Sequence, residues 1–183
     1  MSSFVLEISA QEQDYLKNLA FLSIKSRIEG REPDYPMPPS EKLKKKLGAF
    51  VTLKIKGRLR GCIGNIVGDG PLWKTIIRMA GEAAFNDPRF PELTAQELQL
   101  LELEISILSP LEPVPDIARI EPGRHGLVVR KGPYSGLLLP QVAREWGWDR
   151  ETFLAQTCRK AGLPEDCHKD KGVQLFWFQA AVF

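Results

Sequence analysis

Residues 51–64 read VTLKIKGRLRGCIG, and they decide the local fold around a cysteine that sits between two glycines. The first half of this stretch alternates apolar with polar residues, which is the period of a half-buried β-strand. Lys56-Gly57-Arg58 can turn the chain back. We therefore predict a β-hairpin whose returning arm is LRGCIG, residues 59–64.

Helix and strand patterns alternate irregularly along the rest of the chain. Ser9 and Glu12 have the spacing of a capping box, which begins a helix predicted over residues 9–30. A second helix is predicted over residues 71–84, and its apolar face should lie against a sheet. The patterns also predict a short helical turn from residue 94, helices from residues 140 and 149, and strands over 101–107, 126–130, 134–139 and 173–183. Proline-rich segments 31–39 and 110–122 connect them. Because the pattern lacks a regular βαβ rhythm, it indicates the α+β class with a central antiparallel sheet and packed helices. We expect a single domain over residues 1–183, as one body or as two tightly joined lobes.

Composition excludes several classes of protein. The 183 residues carry a net charge of +2, and only residues 42–46 form a lysine cluster, so we expect no nucleic-acid partner. Three cysteines without a CxxC motif favour free thiols in a reducing compartment, which points to the cytoplasm. Residues 1–10 lack the pattern of an export signal, and no apolar run is long enough for a membrane span, so we expect no membrane association.

The LRGCIG motif is expected to leave the thiol of Cys62 accessible. In a regular strand Leu59 and Ile63 face the core while Arg60 and Cys62 share the other side, so that the guanidinium can lie over the sulfur and favour the thiolate. Gly61 and Gly64 leave the sulfur uncrowded and allow a bulge or close ligand approach. The alternative is a structural cysteine, because free cysteines are among the most buried residues.

A nucleophilic cysteine needs a base, and the chain has two histidines. His125 lies in a loop that enters a strand and is the better candidate, whereas His168 lies in a charged stretch expected to be a solvated loop. Glu102 and Glu104 fall on the polar side of their strand, which is typical of an exposed face; they reach a site only if that side lines a cleft.

The segment DPRFP, residues 87–91, has a rigid turn as its simplest interpretation. Asp87 and Arg89 then pair locally and Phe90 plugs the core, while ligand binding by Arg89 is a second possibility. No metal-ligand set, nucleotide loop or serine triad is visible in the sequence. We therefore predict no metal and no cofactor for this domain.

Five motifs in the same order give the chain a resemblance over nearly its whole length. They are LRGCIG (59–64), AAFNDPRFPEL (83–93), LELEISILSP (101–110), GRHGLVVRKG (123–132) and the stretch from residue 136 to residue 164. The chain resembles the AMMECR domain family, named after the chromosomal region of Alport syndrome, midface hypoplasia and elliptocytosis. The resemblance implies an α+β fold with an antiparallel sheet and places the functional site at the motif that contains Arg60 and Cys62. It also implies a modification pathway shared with Memo-like and radical SAM proteins, which are thus the expected partners.

Two functional hypotheses follow. In the first, the domain is a ligand-binding or catalytic centre in which Cys62 is the nucleophile, Arg60 stabilises negative charge and His125 transfers a proton. Other ligand contacts are then expected from four residues: Gly61, Gly64, Arg89 and Glu104. In the second, the protein is a non-catalytic module whose LRGCIG hairpin and DPRF turn bind a peptide or a partner domain.

Overall fold

The computed structural model describes residues 6–183, which divide into two compact units. The amino-terminal unit comprises residues 7–108 with 181–183, and the carboxy-terminal unit comprises residues 109–180 with Leu6. The expectation that residues 1–10 hold no export signal falls partly on residues 1–5, which lie outside the described residues. Within the described part of the chain, no helix is both long and apolar enough to cross a membrane.

The helices and strands are numbered in chain order. The α-helices are α1 (Ala10–Ile28), α2 (Leu72–Phe85), α3 (Ala95–Leu98), α4 (Pro140–Glu145) and α5 (Arg150–Lys160). The strands are β1 (Gly48–Ile55), β2 (Arg58–Asn65), β3 (Leu101–Leu108), β4 (Glu112–Pro113), β5 (Gly126–Lys131), β6 (Tyr134–Leu138), β7 (Gln174–Phe178) and β8 (Ala180–Val182). Short 3₁₀ helices occupy Glu41–Lys44, Ile117–Arg119 and Cys167–Lys169.

The amino-terminal unit is a four-stranded sheet, in the order β2-β1-β3-β8, with α1 and α2 packed on one face. The capping box predicted for α1 is present, since the Ser9 side chain accepts from the Glu12 N–H while the Glu12 carboxylate accepts from the Ser9 N–H. Val51 and Leu53 of β1 are fully buried on the helix-covered face. The predicted packing of α2 against a sheet is thereby confirmed.

The predicted hairpin of β1 and β2 is also confirmed. Its turn places Lys56 at φ 52° and Gly57 at φ 71°. Two consecutive residues in the left-handed region are the signature of a tight two-residue hairpin turn, whose twist matches that of the strands it joins. LRGCIG therefore forms the returning strand β2, at the edge of its sheet.

The carboxy-terminal unit holds a second four-stranded sheet, in the order β4-β7-β5-β6. α5 packs on β5 and β6, and Ile120, Leu127 and Phe153 are fully buried in its core. Cys158 and Cys167 form a disulfide. The prediction that the thiols stay free is therefore wrong for these two cysteines, because spacing along the chain gave no indication that the end of α5 meets the 3₁₀ helix at residue 167.

The predicted α+β class with antiparallel strand pairing is confirmed. The strands form two sheets, one in each unit, where we expected one central sheet. The predicted closing strand is split into β7 and β8, which join different sheets. The split falls at Gln179, where its backbone N–H donates to the Ser109 hydroxyl at 2.9 Å and its carbonyl accepts from the Ser109 N–H at 2.9 Å.

Candidate functional site

Cys62 is held at the edge of the amino-terminal sheet by two side chains of the DPRF turn. Its backbone N–H donates to Oδ2 of Asp87 at 2.9 Å, and its carbonyl accepts from Nη2 of Arg89 at 3.1 Å. On an edge strand, the backbone N–H and carbonyl of every second residue point away from the sheet, where they need other hydrogen-bond partners. Asp87 and Arg89 supply those partners, so the turn takes the place of a neighbouring strand at Cys62.

The Asp87 carboxylate is buried at 4% exposure and is saturated with hydrogen bonds. Besides the Cys62 N–H, it accepts from the Arg89 backbone N–H at 3.1 Å, from Nε at 2.9 Å and from Nη2 at 2.7 Å. The Arg89 guanidinium holds the pKa of Asp87 well below its ordinary value, against the opposing effect of burial. The predicted local pair of Asp87 and Arg89 is confirmed, and it is also a clamp on the cysteine strand.

The sulfur of Cys62 is half-buried and meets a hydroxyl. Oγ1 of Thr52, on the neighbouring strand β1, donates to Sγ at 3.2 Å. Thr52 is paired in register with Cys62 on one side and with Glu104 of β3 on the other. Since paired residues on adjacent strands point to the same face, Cys62, Thr52 and Glu104 form one row across the sheet.

Glu104 is engaged by Lys54, whose Nζ lies 2.8 Å from Oε2. Both side chains are about one-third exposed, at 33% for Lys54 and 35% for Glu104. Lys54 lies two residues from Thr52 on the same strand and therefore on the same face. The structure thus brings Glu104 to the sheet face that carries the sulfur, together with a cation.

A β-bulge changes the expected geometry of Arg60. Leu53 pairs with Gly61 and Lys54 pairs with Leu59, which leaves Arg60 as an extra residue between them. The simple alternation predicted for residues 59–63 is therefore wrong: Leu59 is 45% exposed whereas Arg60 is only 9% exposed. The extra residue reverses which face the preceding side chains occupy.

The Arg60 guanidinium binds Glu97 of α3. Nε and Nη2 donate to its two carboxylate oxygens at 2.7 and 3.1 Å, and Nη2 also donates to the Glu92 carbonyl at 3.2 Å. These hydrogen bonds lower the pKa of Glu97 to about 2, although burial opposes them. The arginine that is hydrogen-bonded to the Cys62 residue is thus Arg89, and a role for Arg60 at the thiol stays a prediction.

Phe90 is not buried in the core as we expected. It is half-buried, and the guanidinium carbons of Arg60 and Arg89 lie 5.9 and 5.5 Å from its ring centroid. Both distances are within the range of a cation–π contact. Phe90 therefore links the two arginines of this region.

The two glycines that flank Cys62 are required by packing. A Cβ at Gly61 would overlap the Ala83 carbonyl oxygen of α2, and a Cβ at Gly64 would overlap the Phe50 ring. Close approach of backbone to a neighbouring element is a common reason for glycine in a strand. Ligand contact by the backbone of Gly61 or Gly64 stays a prediction.

The scan against family models matches the AMMECR1 model over residues 17–183. The chain belongs to the AMMECR1 family. A protein of Nanoarchaeum equitans is 40% identical, with 92% of this chain and 97% of the relative covered. A Thermococcus gammatolerans protein is 46% identical over 93% of this chain and 88% of the relative. The crystal structure of an uncharacterized protein from Pyrococcus horikoshii has a TM-score of 0.87 at 40% identity and covers 97% of this chain and 93% of that chain.

Both histidines of this AMMECR1-family chain belong to the carboxy-terminal unit. His125 is 8% exposed; its Nδ1 accepts from the Glu121 N–H at 3.0 Å, and its ring lies against Trp177. His168, which we expected on a solvated loop, is half-buried in a 3₁₀ helix beside the disulfide. Within residues 6–183, no group of three or more His, Cys, Asp or Glu side chains is arranged to hold a metal ion.

Sequence reasoning missed Thr52 and underrated Asp87. Thr52 could have been found from the hairpin register, because a two-residue turn at Lys56-Gly57 fixes which residues of β1 lie opposite LRGCIG once the bulge is known. Asp87 carried no such signal, since its contact with Cys62 spans 25 residues. In this AMMECR1-family fold, the candidate site is therefore a half-exposed thiol on a rigidly anchored strand, with a hydroxyl, a carboxylate and two cations in the same unit.

Proposed function

We propose that the protein is a ligand-binding or catalytic centre at which the Cys62 thiol contacts or attacks the ligand. The observation that carries the proposal is the Thr52 hydroxyl directed at the sulfur at 3.2 Å. A hydrogen-bond donor in this position stabilises negative charge that develops on the sulfur, and it fixes the direction in which the sulfur points. A buried structural cysteine would pack against apolar side chains instead.

The backbone around the sulfur supports the same proposal. Asp87 and Arg89 fix both polar backbone groups of Cys62, so the thiol is presented from a strand with little freedom to move. Sites built on anchored strands hold reacting groups with the precision that catalysis requires. The Arg89 side chain is 54% exposed and adds a cation that an anionic ligand can meet.

Proton transfer can be assigned within the same unit. Thr52, Lys54 and Glu104 share the sheet face of the sulfur, and the Lys54–Glu104 pair is accessible to solvent. We had predicted this role for His125, which belongs to the other unit. We now favour Glu104 as the acceptor of the proton: it lies in the same cross-strand row as Cys62 but two strands away, so the transfer runs through bridging water rather than by direct contact.

Alkylation with iodoacetamide tests the thiol directly, because sulfur attacks the methylene carbon and iodide leaves. We compare Thr52→Val, which keeps the shape but removes the hydroxyl, with Thr52→Ser, which keeps the hydroxyl. We expect the valine variant to react several-fold more slowly at neutral pH and the serine variant to react at close to the wild-type rate. Equal rates in all three proteins would contradict a functional Thr52–Cys62 contact.

The alternative is a non-catalytic module in which the LRGCIG hairpin and the DPRF turn bind a peptide or partner domain. The exposed side chains of Leu59, in the hairpin, and Arg89, in the turn, favour it, because a partner could bury the first and hydrogen-bond to the second, and arginine is enriched at interfaces. This alternative predicts that Cys62→Ser keeps full activity in cells, whereas Arg89→Gln loses it. The thiol proposal predicts that both substitutions abolish activity.

A shared pathway with Memo-like and radical SAM proteins is the part of the proposal that rests on family resemblance. We propose a Memo-like protein of the same organism as the first partner to examine. Co-elution of the two purified proteins in size-exclusion chromatography would support the partnership. Independent elution at micromolar concentrations, combined with unchanged Memo-like activity, would contradict it.

A further inference from the structure

The carboxy-terminal unit holds a cavity of about 590 Å³. This volume is in the range of pockets that take small organic ligands. Its lining combines the apolar side chains of Pro110, Pro113, Pro115 and Trp177 with polar and charged ones. None of the cavity residues belongs to the sheet that carries Cys62.

His125 lines this cavity and has one defined hydrogen-bond donor. Its Nδ1 accepts the Glu121 N–H at 3.0 Å, so the neutral ring carries its proton on Nε2. Nε2 has no partner within residues 6–183, although the residue as a whole is only 8% exposed. Burial lowers the pKa of His125 and so favours the neutral ring near neutral pH, while the hydrogen bond to Nδ1 sets its tautomer.

Arg119 also lines the cavity and supplies a second donor. Its guanidinium carbon lies 5.7 Å from the Trp177 ring centroid, and the His125 ring centroid lies 4.6 Å from Trp177. Arg119 forms no salt bridge with any carboxylate of the described chain, whereas Arg124, also at the cavity, is paired with Glu121 at 3.1 Å. Trp177 is therefore a common neighbour of two donor groups that have no acceptor within the described residues.

We propose that this cavity binds a small organic oxyanion, a carboxylate or phosphate attached to a flat apolar group. The oxyanion accepts from Nε2 of His125 and from the Arg119 guanidinium, and the flat group lies against Trp177 and the prolines. Arginine favours oxyanions because its planar fork matches their oxygens. Glu112 also lines the cavity, and its negative charge disfavours ligands that carry several negative charges, so a single anionic group fits best.

The test uses nuclear magnetic resonance on the full chain labelled with ¹⁵N, in the Cys62→Ser background so that the outcome does not depend on the thiol proposal. The probes are benzoate, phenyl phosphate and benzamide, of which benzamide has the same flat group without the charge. We expect benzoate or phenyl phosphate to shift the Trp177 indole and His125 imidazole resonances in a saturable manner. Benzamide at equal concentration should leave both unchanged. Saturation by one of the two anions identifies the preferred oxyanion.

Two arginine variants decide whether the charge is recognised. Arg119→Gln should weaken binding of the anion about tenfold, the effect of losing one charge-assisted hydrogen bond. Arg130→Gln is the matched control, because Arg130 also lies over an aromatic ring, Phe176 at 5.4 Å, but does not line the cavity. It should leave the affinity unchanged. The proposal is overturned if neither anion gives saturable shifts by about 10 mM, beyond the weak range expected for such small ligands, if benzamide binds equally well, or if both arginine variants behave alike.

Discussion

Replacing Asp87 by asparagine would remove the charge that anchors the cysteine strand while keeping the side-chain shape. The two carboxylate oxygens of Asp87 accept four hydrogen bonds, one from Cys62 and three from Arg89. An asparagine has one acceptor oxygen, and its amide nitrogen can only donate. In either orientation of the amide, two of the four donors face another donor.

The size of the effect depends on which of these donors can hydrogen-bond to water instead. The Arg89 side chain is 54% exposed and can turn to solvent, but each orientation of the amide leaves one backbone N–H, that of Cys62 or that of Arg89, facing the amide nitrogen. An unsatisfied backbone donor costs about 1–3 kcal/mol, and a lost hydrogen bond to a charged group costs about 1.5–3 kcal/mol. We expect Asp87→Asn to lower the free energy of unfolding of the amino-terminal unit by about 3 kcal/mol, a large part of the usual 5–15 kcal/mol.

Amide hydrogen exchange at Cys62 measures this loss locally. A 3 kcal/mol loss should accelerate exchange about a hundredfold if exchange requires opening of this unit. Asp69→Asn is the control, because Asp69 binds Arg78 through both carboxylate oxygens but is 53% exposed. It should change exchange at Cys62 very little. Equal exchange rates in the two variants would refute the assignment of Asp87 as the anchor of β2.

Three further outcomes follow from the structure. Gly61→Ala should destabilise the protein by about 3 kcal/mol or prevent folding, because the new Cβ would overlap the backbone of α2. Gly70→Ala is the control and should be tolerated, because there is open space around Gly70. Equal melting temperatures of the two variants would show that α2 shifts to accommodate the new Cβ. Thiol titration of unreduced protein in denaturant, which exposes the buried Cys158 and Cys167, should give one thiol. Reduction should give three thiols and lower stability by about 2–3 kcal/mol, since the disulfide closes a nine-residue separation; three thiols without reduction would exclude the disulfide. The pKa of Glu97 lies at about 2 in the folded protein, against 4.5 ordinarily, so its ion pair with Arg60 stabilises above pH 4.5 and this contribution is lost as the pH falls towards 2. Unfolding free energies of wild type and Glu97→Gln should therefore converge on acidification, and parallel curves would contradict the shift.

Features that depend on near neighbours in the chain were readable from the sequence. The capping box of α1 and the turn at Lys56-Gly57 are local, so residue types at fixed spacing were sufficient to predict them. The pair of Asp87 and Arg89 was predicted for the same reason. The hairpin that carries Cys62 was therefore placed correctly before its surroundings were known.

Features that depend on distant partners were not readable. The bulge at Arg60 follows from how β2 pairs with β1, and nothing in the strand sequence alone marks the extra residue. The partner of Arg60 is Glu97, which is 37 residues away, and the disulfide joins two elements whose approach depends on the packing of α5. The same limit applied to the split of the closing strand between two sheets.

The anchoring of Cys62 and the environment of its sulfur have one geometric origin. Because Thr52 and Cys62 face each other without exchanging backbone hydrogen bonds, the N–H and carbonyl of Cys62 point outward to Asp87 and Arg89. In such a pair the side chains approach more closely than in a hydrogen-bonded pair, which brings the Thr52 hydroxyl to the sulfur. A cysteine moved by one residue along β2 would lose both arrangements at once, since backbone direction and side-chain face alternate together. The position of the thiol within the ladder, rather than its flanking residues alone, therefore makes this cysteine suited to contact a ligand.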